Sequence, residues 1–520
     1  MEFNRNKLMI ASFLTLVASG VGFATRAAAG YDWGQAFNIG GLQFGAIMGA
    51  GFLGFGVMIF FGGILVEKFG YKLLLLLAFL LHMASAVMLL VAPSMFDGWL
   101  EGDAATATEN VFSLLFWSAF LFSIAQGLYE AVINPLIGDL YPENKTHYLN
   151  ILHAGWPAGM IIGGLFAACF MGKEPWITHL PWQYAMSSFA IFVVAYAVMA
   201  FTEKFPATAA SRNENFLKTF ACFLSAPFLL LIVLHALIGY MELGVDSWIS
   251  KLMENLLPNA IIILVYTSAL MFILRFFAGP IVHKINPIGL LFASSIVACG
   301  GLLWLSQDIT SVAVIFVAVT FYSFGKAFLW PTMLAVAGER YPASGAIAMG
   351  ALGAAGMLTV GLVAGPTIGA QQGYYTSEDL KETAPDTYDR YTDEDKEYWS
   401  YSYKEVSGDK YSAASATPVD EDGTVSDTSA FANADLLDAE TKTLLTENAS
   451  TDVPAVKASY LIGSRKTLQV TSYIPAAMAV GFLLLLIYYR SIGGYKVLNP
   501  DGSVKEDGHG SDKVGMPPAK

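Results

Sequence analysis

Apolar residues gather into about twelve long runs separated by short polar stretches. The runs lie near 8–29, 42–66, 71–92, 111–138, 148–171, 182–201, 222–245, 260–281, 288–306, 310–335, 345–369 and 470–490. Each is about 20 residues long, enough at 1.5 Å per residue to cross a hydrocarbon core about 30 Å thick. Inside lipid every backbone N–H and C=O needs an internal partner, so the runs predict helices. A polar break at 202–221 divides them six and six. The expected fold is an all-α membrane protein with about twelve transmembrane helices in two six-helix, pseudo-symmetric bundles. These bundles are 1–201 and 222–490, joined by a cytoplasmic linker at 202–221.

Two polar segments interrupt this plan. Residues 371–469, between the last two runs, are rich in Tyr, Asp, Glu, Ser and Thr, with few aliphatic residues before 431–445. They predict a solvated, partly ordered extracytoplasmic insert. Its acidic runs lack the spacing of a calcium loop, and Asn448-Ala449-Ser450 matters only in a glycosylating secretory pathway. Residues 491–520, rich in Gly, Lys and Pro, predict a disordered cytoplasmic tail.

Composition sharpens the class. The chain is 55% hydrophobic and 14% charged, against about 25% charged in soluble chains. The net charge of −13 comes almost wholly from the insert, with roughly 20 Asp and Glu against 9 Lys and Arg. That acidity therefore carries no message about nucleic acid. Cys169, Cys222 and Cys299 all sit in apolar runs, as small buried residues do, and their spacing fits neither a metal site nor a disulfide framework. Basic Met1–Lys7, apolar 8–23 and Ala27–Ala29 have the outline of a cleaved signal. Arg26 stands directly before that site, however, and removing the segment would spoil the six-plus-six plan. We read it as the first span.

Lysine and arginine bias sets the orientation. With both termini cytoplasmic, the inner face collects Arg5, Lys7, Lys68, Lys72, Lys145, Lys204, Arg212, Lys218, Lys284, Arg340 and the tail's Arg490, Lys496, Lys505, Lys513 and Lys520. The short outer loops carry only Lys173 and Lys251, and 93–110 has four acidic residues and no basic one. The expected location is a multi-pass protein of the plasma (inner) membrane.

Glu130 and Asn134 lie one helical turn apart within the fourth run. A carboxylate at bilayer depth costs about 2.5–3.5 kcal/mol on insertion scales, so such groups usually mark a solute or proton path. Glu130 is the candidate proton-coupling residue, and a hydrogen bond closing the fourth helix onto the fifth is the structural alternative. Asn134 could bond a hydroxylated solute or cap the backbone gap left by Pro135, which lacks an N–H. No phosphate-binding Gly-Lys-Ser/Thr loop, zinc spacing or nucleophile elbow is present. We therefore expect no enzyme, no cofactor and no bound metal.

After the second run comes GGILVEKFGYK (62–72). It resembles the loop signature of the major facilitator superfamily at Gly63, Leu65, Glu67, Lys68, Gly70 and Lys72, departing from it at Tyr71. A weaker repeat, RFFAGPIVHKINPIGLL (275–291), sets Arg275, Gly279 and Lys284 in comparable places. In this resemblance Gly63, Glu67, Lys68, Gly70, Lys72 and Arg275 form a conformational latch on the cytoplasmic face. Within the superfamily, 127–159 looks like the fucose–galactose–glucose/proton symporter branch at Glu130, Asn134, Pro135, Tyr141, Pro142, Leu149 and Asn150. The stretches 239–249 and 328–342 add Glu242, Trp248 and the tenth-span motif. Where that branch carries an acidic residue in the first span, this chain has Arg26. Where it presents amides in the fifth span, this chain has His153 and Trp156.

The resemblance implies a secondary active transporter working by alternating access, moving a small polar solute, most simply a monosaccharide with a proton, as a monomer. An organic or inorganic anion is the alternative, favoured by Arg26 and Lys326. A non-transporting solute receptor on the same fold is the alternative from another class. The candidate solute-binding residues are Arg26, Asn134, His153, Trp156, Glu242, Trp248, Lys326 and Trp330. Each has a plainer reading as an ion-pair partner, a packing residue or an interfacial aromatic, and Asp246 one turn beyond Glu242 could sit at the water boundary.

Overall fold

The computed structural model describes residues 4–37, 39, 41–172, 175–208, 216–253, 261–420, 423–432, 434 and 437–505. Among these, eleven helices are long and apolar enough to cross a membrane: Arg5–Ala27, Gln43–Phe69, Tyr71–Leu100, Thr106–Leu140, Lys145–Phe170, Trp182–Phe201, Ala226–Ile249, Ala278–Leu305, Val312–Arg340, Gly345–Thr383 and Ala449–Ser491. The shorter apolar helix Ile262–Arg275 completes a set of twelve. They are called the first to twelfth spans below, with Ile262–Arg275 the eighth.

The spans form two bundles of six related by a pseudo-twofold arrangement of contacts. The first span packs on the fifth and sixth as the seventh packs on the eleventh and twelfth. The second packs on the fourth as the eighth packs on the tenth, and the third on the fourth as the ninth on the tenth. Between bundles, the second span lies along the eleventh and the eighth along the fifth. The turn after the second span has its echo after the eighth. Gly70 (φ 80°, ψ 168°) ends one helix, and Asn286 (φ 56°, ψ 167°) breaks another at the matching place. Asn286 Oδ1 accepts from Gly289 N at 3.0 Å, so it caps the helix that starts at Pro287.

Small residues let the key helices touch backbone to backbone. A Cβ on Gly20 would lie 2.3 Å from the Trp156 carbonyl oxygen, and one on Gly159 would lie 2.2 Å from that of Val17. The seventh and eleventh spans repeat the device: a Cβ on Gly239 would lie 2.3 Å from the Gly356 carbonyl oxygen. Near those crossings the seventh and eleventh spans each carry a π-helical turn, Tyr240–Gly244 and Val360–Ala364.

The insert differs from its expected form. The eleventh span runs on to Thr383, and the last helix begins at Ala449. At 1.5 Å per residue the 39-residue helix Gly345–Thr383 is about 58 Å long, nearly twice the hydrocarbon thickness. The two overhangs form the stem of a folded cap. A hairpin of β1 (Thr392–Tyr398) and β2 (Tyr401–Val406) lies against the eleventh span. Leu380, Tyr391, Tyr411, Phe431, Leu445, Val453 and Val456 make a separate small core. Arg390 Nε donates to buried Asp452 at 2.7 Å, and Thr387 Oγ1 donates to the same carboxylate at 2.7 Å. The insert is therefore a compact cap rather than a solvated loop. Its tyrosines and the two helical overhangs supply the burial that its aliphatic content did not promise.

Two other boundaries shift. Residues 216–224 of the linker region form a 3₁₀ turn, with Cys222 and Thr219 buried. Residues 495–505 are ordered rather than disordered: Leu498 N donates to Glu339 O at 2.9 Å, and Lys505 Nζ to Pro142 O at 2.9 Å. Residues 209–215 and 506–520, with Lys173, Arg212, Lys513 and Lys520, lie outside the described residues, as does the side chain of Lys251. Arg5 pairs with Glu143 and Lys7 with Glu203 at the end of the bundle where Lys505 docks. Burial at that end penalises the Glu143 carboxylate, but its bonds with Arg5 and its own backbone outweigh this and hold its pKa below the usual value. The cap stands at the opposite end.

The glycine crossings are directly testable. Gly159→Ala should cost about 1–3 kcal/mol through overpacking, read as a lower Tm of the purified protein in detergent. Gly300→Ala, where the added methyl group meets nothing within 4 Å, should leave Tm unchanged or raise it. Equal effects from the two substitutions would remove the crossing from the account.

Candidate functional site

The fourth span presents Phe122, Ser123, Gln126 and Glu130 to a cavity between the bundles. Phe122, Gln126 and Glu130 recur every four residues, so they share one helical face. From the first span come Phe23 and Arg26, from the fifth His153, Trp156 and Met160, and from the second Met48, Phe52 and Phe55. The second bundle adds Glu242, Leu243 and Asp246, with Arg275, Trp330 and Met357. The Gly20–Gly159 crossing is what brings Arg26 and Trp156 to the same space, with Phe23 and Trp156 ring centroids 5.7 Å apart.

Glu130 is buried, and its Oε2 accepts from Asn134 Nδ2 at 3.0 Å. Asn134 Oδ1 in turn lies 2.8 Å from His153 Nε2. An amide oxygen only accepts, so this pairing assigns the proton to His153 Nε2. Asn134 is thus committed to two side chains, and it stands behind the cavity wall rather than on it. The backbone-capping alternative for Asn134 is not the arrangement found.

Arg275 is the main displacement from expectation. The resemblance assigns it to the cytoplasmic latch, yet it is 2% exposed and borders the cavity. Its guanidinium donates to Glu242 Oε1 at 2.9 Å, to Ala327 O at 2.9 Å and to His153 O. One side chain therefore joins the seventh, eighth and tenth spans to the fifth. Nothing local to the sequence signalled this. Arg275 falls near the end of an apolar run, where snorkelling to the interface is the ordinary outcome.

Lys326 is fully buried and pairs with Asp246, its Nζ lying 5.0 Å from the Tyr322 ring centroid. It reaches the cavity only through Asp246. Trp330 does line the cavity, with the His235 ring tilted against it, centroids 4.4 Å apart. Trp248 does not. It lies against Gly369 and borders a second pocket beneath the cap, with Tyr398, Tyr403, Tyr411 and Tyr460. Asp246 and Trp248 are two residues apart and so point to nearly opposite sides of the helix.

Arg26 is 6% exposed, with its Cζ 4.4 Å from the Phe122 ring centroid. Among the described residues no carboxylate lies within ion-pair distance of it. Gln126 Nε2 and Glu242 Oε2 are likewise buried without a hydrogen-bond partner. Sequence reasoning missed Gln126 and Phe122. Their spacing of four and eight residues before Glu130 was the available signal.

The cytoplasmic latch residues divide. Glu67 Oε1 accepts from Ala346 N, at the start of the eleventh span, at 2.9 Å. Gly63 lets the two helices meet there, since a Cβ would lie 2.7 Å from Ala346 O. Gly70 supplies the positive φ of the turn. Lys68 is exposed over Phe69, and Lys72 bonds Glu203 O within its own bundle at 3.2 Å, so neither crosses to the second bundle in this state. Unpredicted contacts do cross: Thr146 Oγ1 donates to Glu339 Oε1 at 2.8 Å, Lys145 Nζ to Gly338 O at 2.8 Å, and Asn150 Nδ2 to Thr332 Oγ1 at 3.1 Å. The termini-side end is therefore closed.

The sequence model described as Major Facilitator Superfamily matches residues 8–366. No curated protein matches by sequence. Among solved structures, the chain is similar to the E. coli proton:xylose symporter XylE bound to 6-bromo-6-deoxy-D-glucose, at 14% identity and TM-score 0.57, covering 69% of this chain and 87% of that one. It is similar to the E. coli fucose:proton symporter FucP at 17% identity and TM-score 0.55, covering 70% and 90%. It is also similar to the human organic anion transporter MFSD10 at 13% identity and TM-score 0.53, covering 92% and 100%. At these identities the likeness speaks for the fold.

Removing one partner of a buried pair leaves an uncompensated charge and costs about 3–5 kcal/mol. Arg275→Met should therefore lower Tm sharply, and adding Glu242→Leu should recover part of the loss. A double-mutant cycle on purified protein measures the coupling. Additive losses would show that the pair does not tie the spans together.

Proposed function

Because the chain belongs to the major facilitator superfamily, a family of membrane transporters, we propose that it is a proton-coupled secondary active transporter of a small solute. The single observation carrying this reading is the buried Glu130–Asn134–His153 chain beside a cavity that both bundles line. A proton taken up by Glu130 from one side changes the charge facing the solute. Asn134 transmits that change to His153, whose carbonyl oxygen accepts from Arg275 of the other bundle. Proton loading at Glu130 and the fit between the bundles are thereby linked through three hydrogen bonds. Coupling of this kind requires that the proton bind the two closed states with different affinity.

The bundles rock about this cavity. The Glu67–Ala346 and Thr146–Glu339 bonds break when the termini-side end opens. From the lysine and arginine bias, that end faces the cytoplasm and the cap stands outside; a plasma (inner) membrane location and action as a monomer complete the proposal. A monosaccharide as solute is favoured by the Trp156 and Trp330 rings at the cavity wall, which suit the C–H face of a sugar, and by the likeness to two sugar symporters. The Arg26 guanidinium favours an anion.

In proteoliposomes, Glu130→Gln should abolish solute accumulation driven by a pH gradient while leaving solute exchange across the membrane within a few fold of normal. Accumulation by Glu130→Gln that still follows the pH gradient would refute the assignment of Glu130.

A further inference from the structure

Three cations and three carboxylates border or back the cavity, and they are not evenly matched. Arg275 is paired with Glu242, and Lys326 with Asp246. Glu130 is satisfied by Asn134. Arg26 alone faces the space without a carboxylate among the described residues. Its Cζ lies over the Phe122 ring, a contact that uses none of its N–H donors. Gln126, one turn beyond Phe122 on the same helix, holds a second buried donor, Nε2, with no partner. Two unsatisfied donors on the wall of one cavity call for an acceptor, and the cation among them calls for a negative one.

The wall around Arg26 favours an apolar body. Phe122 lies against its guanidinium, and Phe23, one turn before Arg26, packs against Phe52 and Trp156. The neutral hydrogen-bonding side chains on the wall are few, and Ser123 already donates to Ala119 O at 2.7 Å. A monosaccharide would set hydroxyl groups against these rings and would leave the Arg26 charge uncompensated. Both are unfavourable at burial of this depth.

We propose that the solute is an amphipathic organic monoanion of the monocarboxylate type. Its carboxylate is held by Arg26 and Gln126, and its apolar body lies against the Phe52, Phe122 and Trp156 rings. The inference rests on the proton-coupled reading above and adds the charge balance to it. Glu130 lies eight residues from Phe122, about 12 Å along the fourth span. An ionised Glu130 repels the solute carboxylate across that distance or less, by roughly tenfold or more in affinity at an effective dielectric of about 20. The anion therefore binds best when Glu130 carries its proton. One proton and one negative charge then cross together, the proton leaving Glu130 on the far side, and no net charge moves.

The test uses the full chain, purified and in proteoliposomes. Probes are phenylacetate and octanoate, their amides, and glucose, galactose and fucose. The expected result is that the carboxylates raise Tm while the amides and sugars do not. Arg26→Gln should weaken carboxylate binding by tenfold or more, and Arg26→Lys should retain part of it. Gln126→Leu gives a smaller loss and serves if Arg26→Gln does not fold. Carboxylate uptake should respond to a pH gradient, ignore an imposed membrane potential, and give no transport current on a solid-supported membrane. Stabilisation by a sugar but by no carboxylate overturns the proposal, as does unchanged carboxylate binding by Arg26→Gln, or a carboxylate-induced transport current. Carboxylate binding that needs Arg26, with uptake indifferent to the pH gradient, would uphold the solute class and sink the proton coupling instead. Sugar uptake driven by the pH gradient would do the reverse.

Discussion

The Arg275 guanidinium is the contact on which the centre of the molecule depends. It is a cation held at bilayer depth with 2% exposure, a placement that carries a large desolvation cost unless it is paired and hydrogen-bonded. Each of its three nitrogens donates to one acceptor, on Glu242, Ala327 O and His153 O. Those partners come from three other spans, and one belongs to the opposite bundle. The requirement to satisfy one buried charge thus fixes where the seventh, eighth and tenth spans stand, and it seats them against the fifth at the level of the solute cavity.

The glycine crossings make that geometry reachable. The fifth span can bring His153 and Trp156 against the first only because Gly20 and Gly159 remove the side chains between their backbones. Without hydrophobic exclusion from water to drive helices together in lipid, such close packing and the interhelical hydrogen bonds do that work. The same solution in the seventh and eleventh spans, at Gly239 and Gly356, is what a repeated architecture would produce. The paired π-helical turns at Tyr240–Gly244 and Val360–Ala364 lie just beyond that crossing, and the first of them carries Glu242 to Arg275.

Charge matching then separates structural from solute-facing groups. Arg275 with Glu242, and Lys326 with Asp246, are ion pairs within the second bundle. Arg26 stands opposite them in the first bundle with only an aromatic face. This asymmetry between bundles gives the cavity a polarity that a bound anion would complete, with Glu130 placed to sense it from the same helix face as Phe122 and Gln126.

Much of this was legible along the chain. The twelve spans follow from the length of the apolar runs, because lipid leaves the backbone no alternative to helix. The six-plus-six division followed from the polar break, and the repeated turn at Gly70 and Asn286 from its flanking motif. Glu130, Arg26, His153, Trp156, Glu242 and Trp330 could be singled out because polar or aromatic groups in such runs stand out against them, and these six line one cavity. What the sequence could not decide was pairing. Arg275 read as an end-of-helix residue, Lys326 as a cavity residue, and Trp248 as a solute contact, because helical position gives a residue's face but not its neighbour on another helix. The insert read as a loop because its burial comes from tyrosines and from two helices that outrun the bilayer. Identity and spacing determined what must be buried. Only the crossing of distant helices decided which buried charge is compensated and which, at Arg26, is left open to a solute.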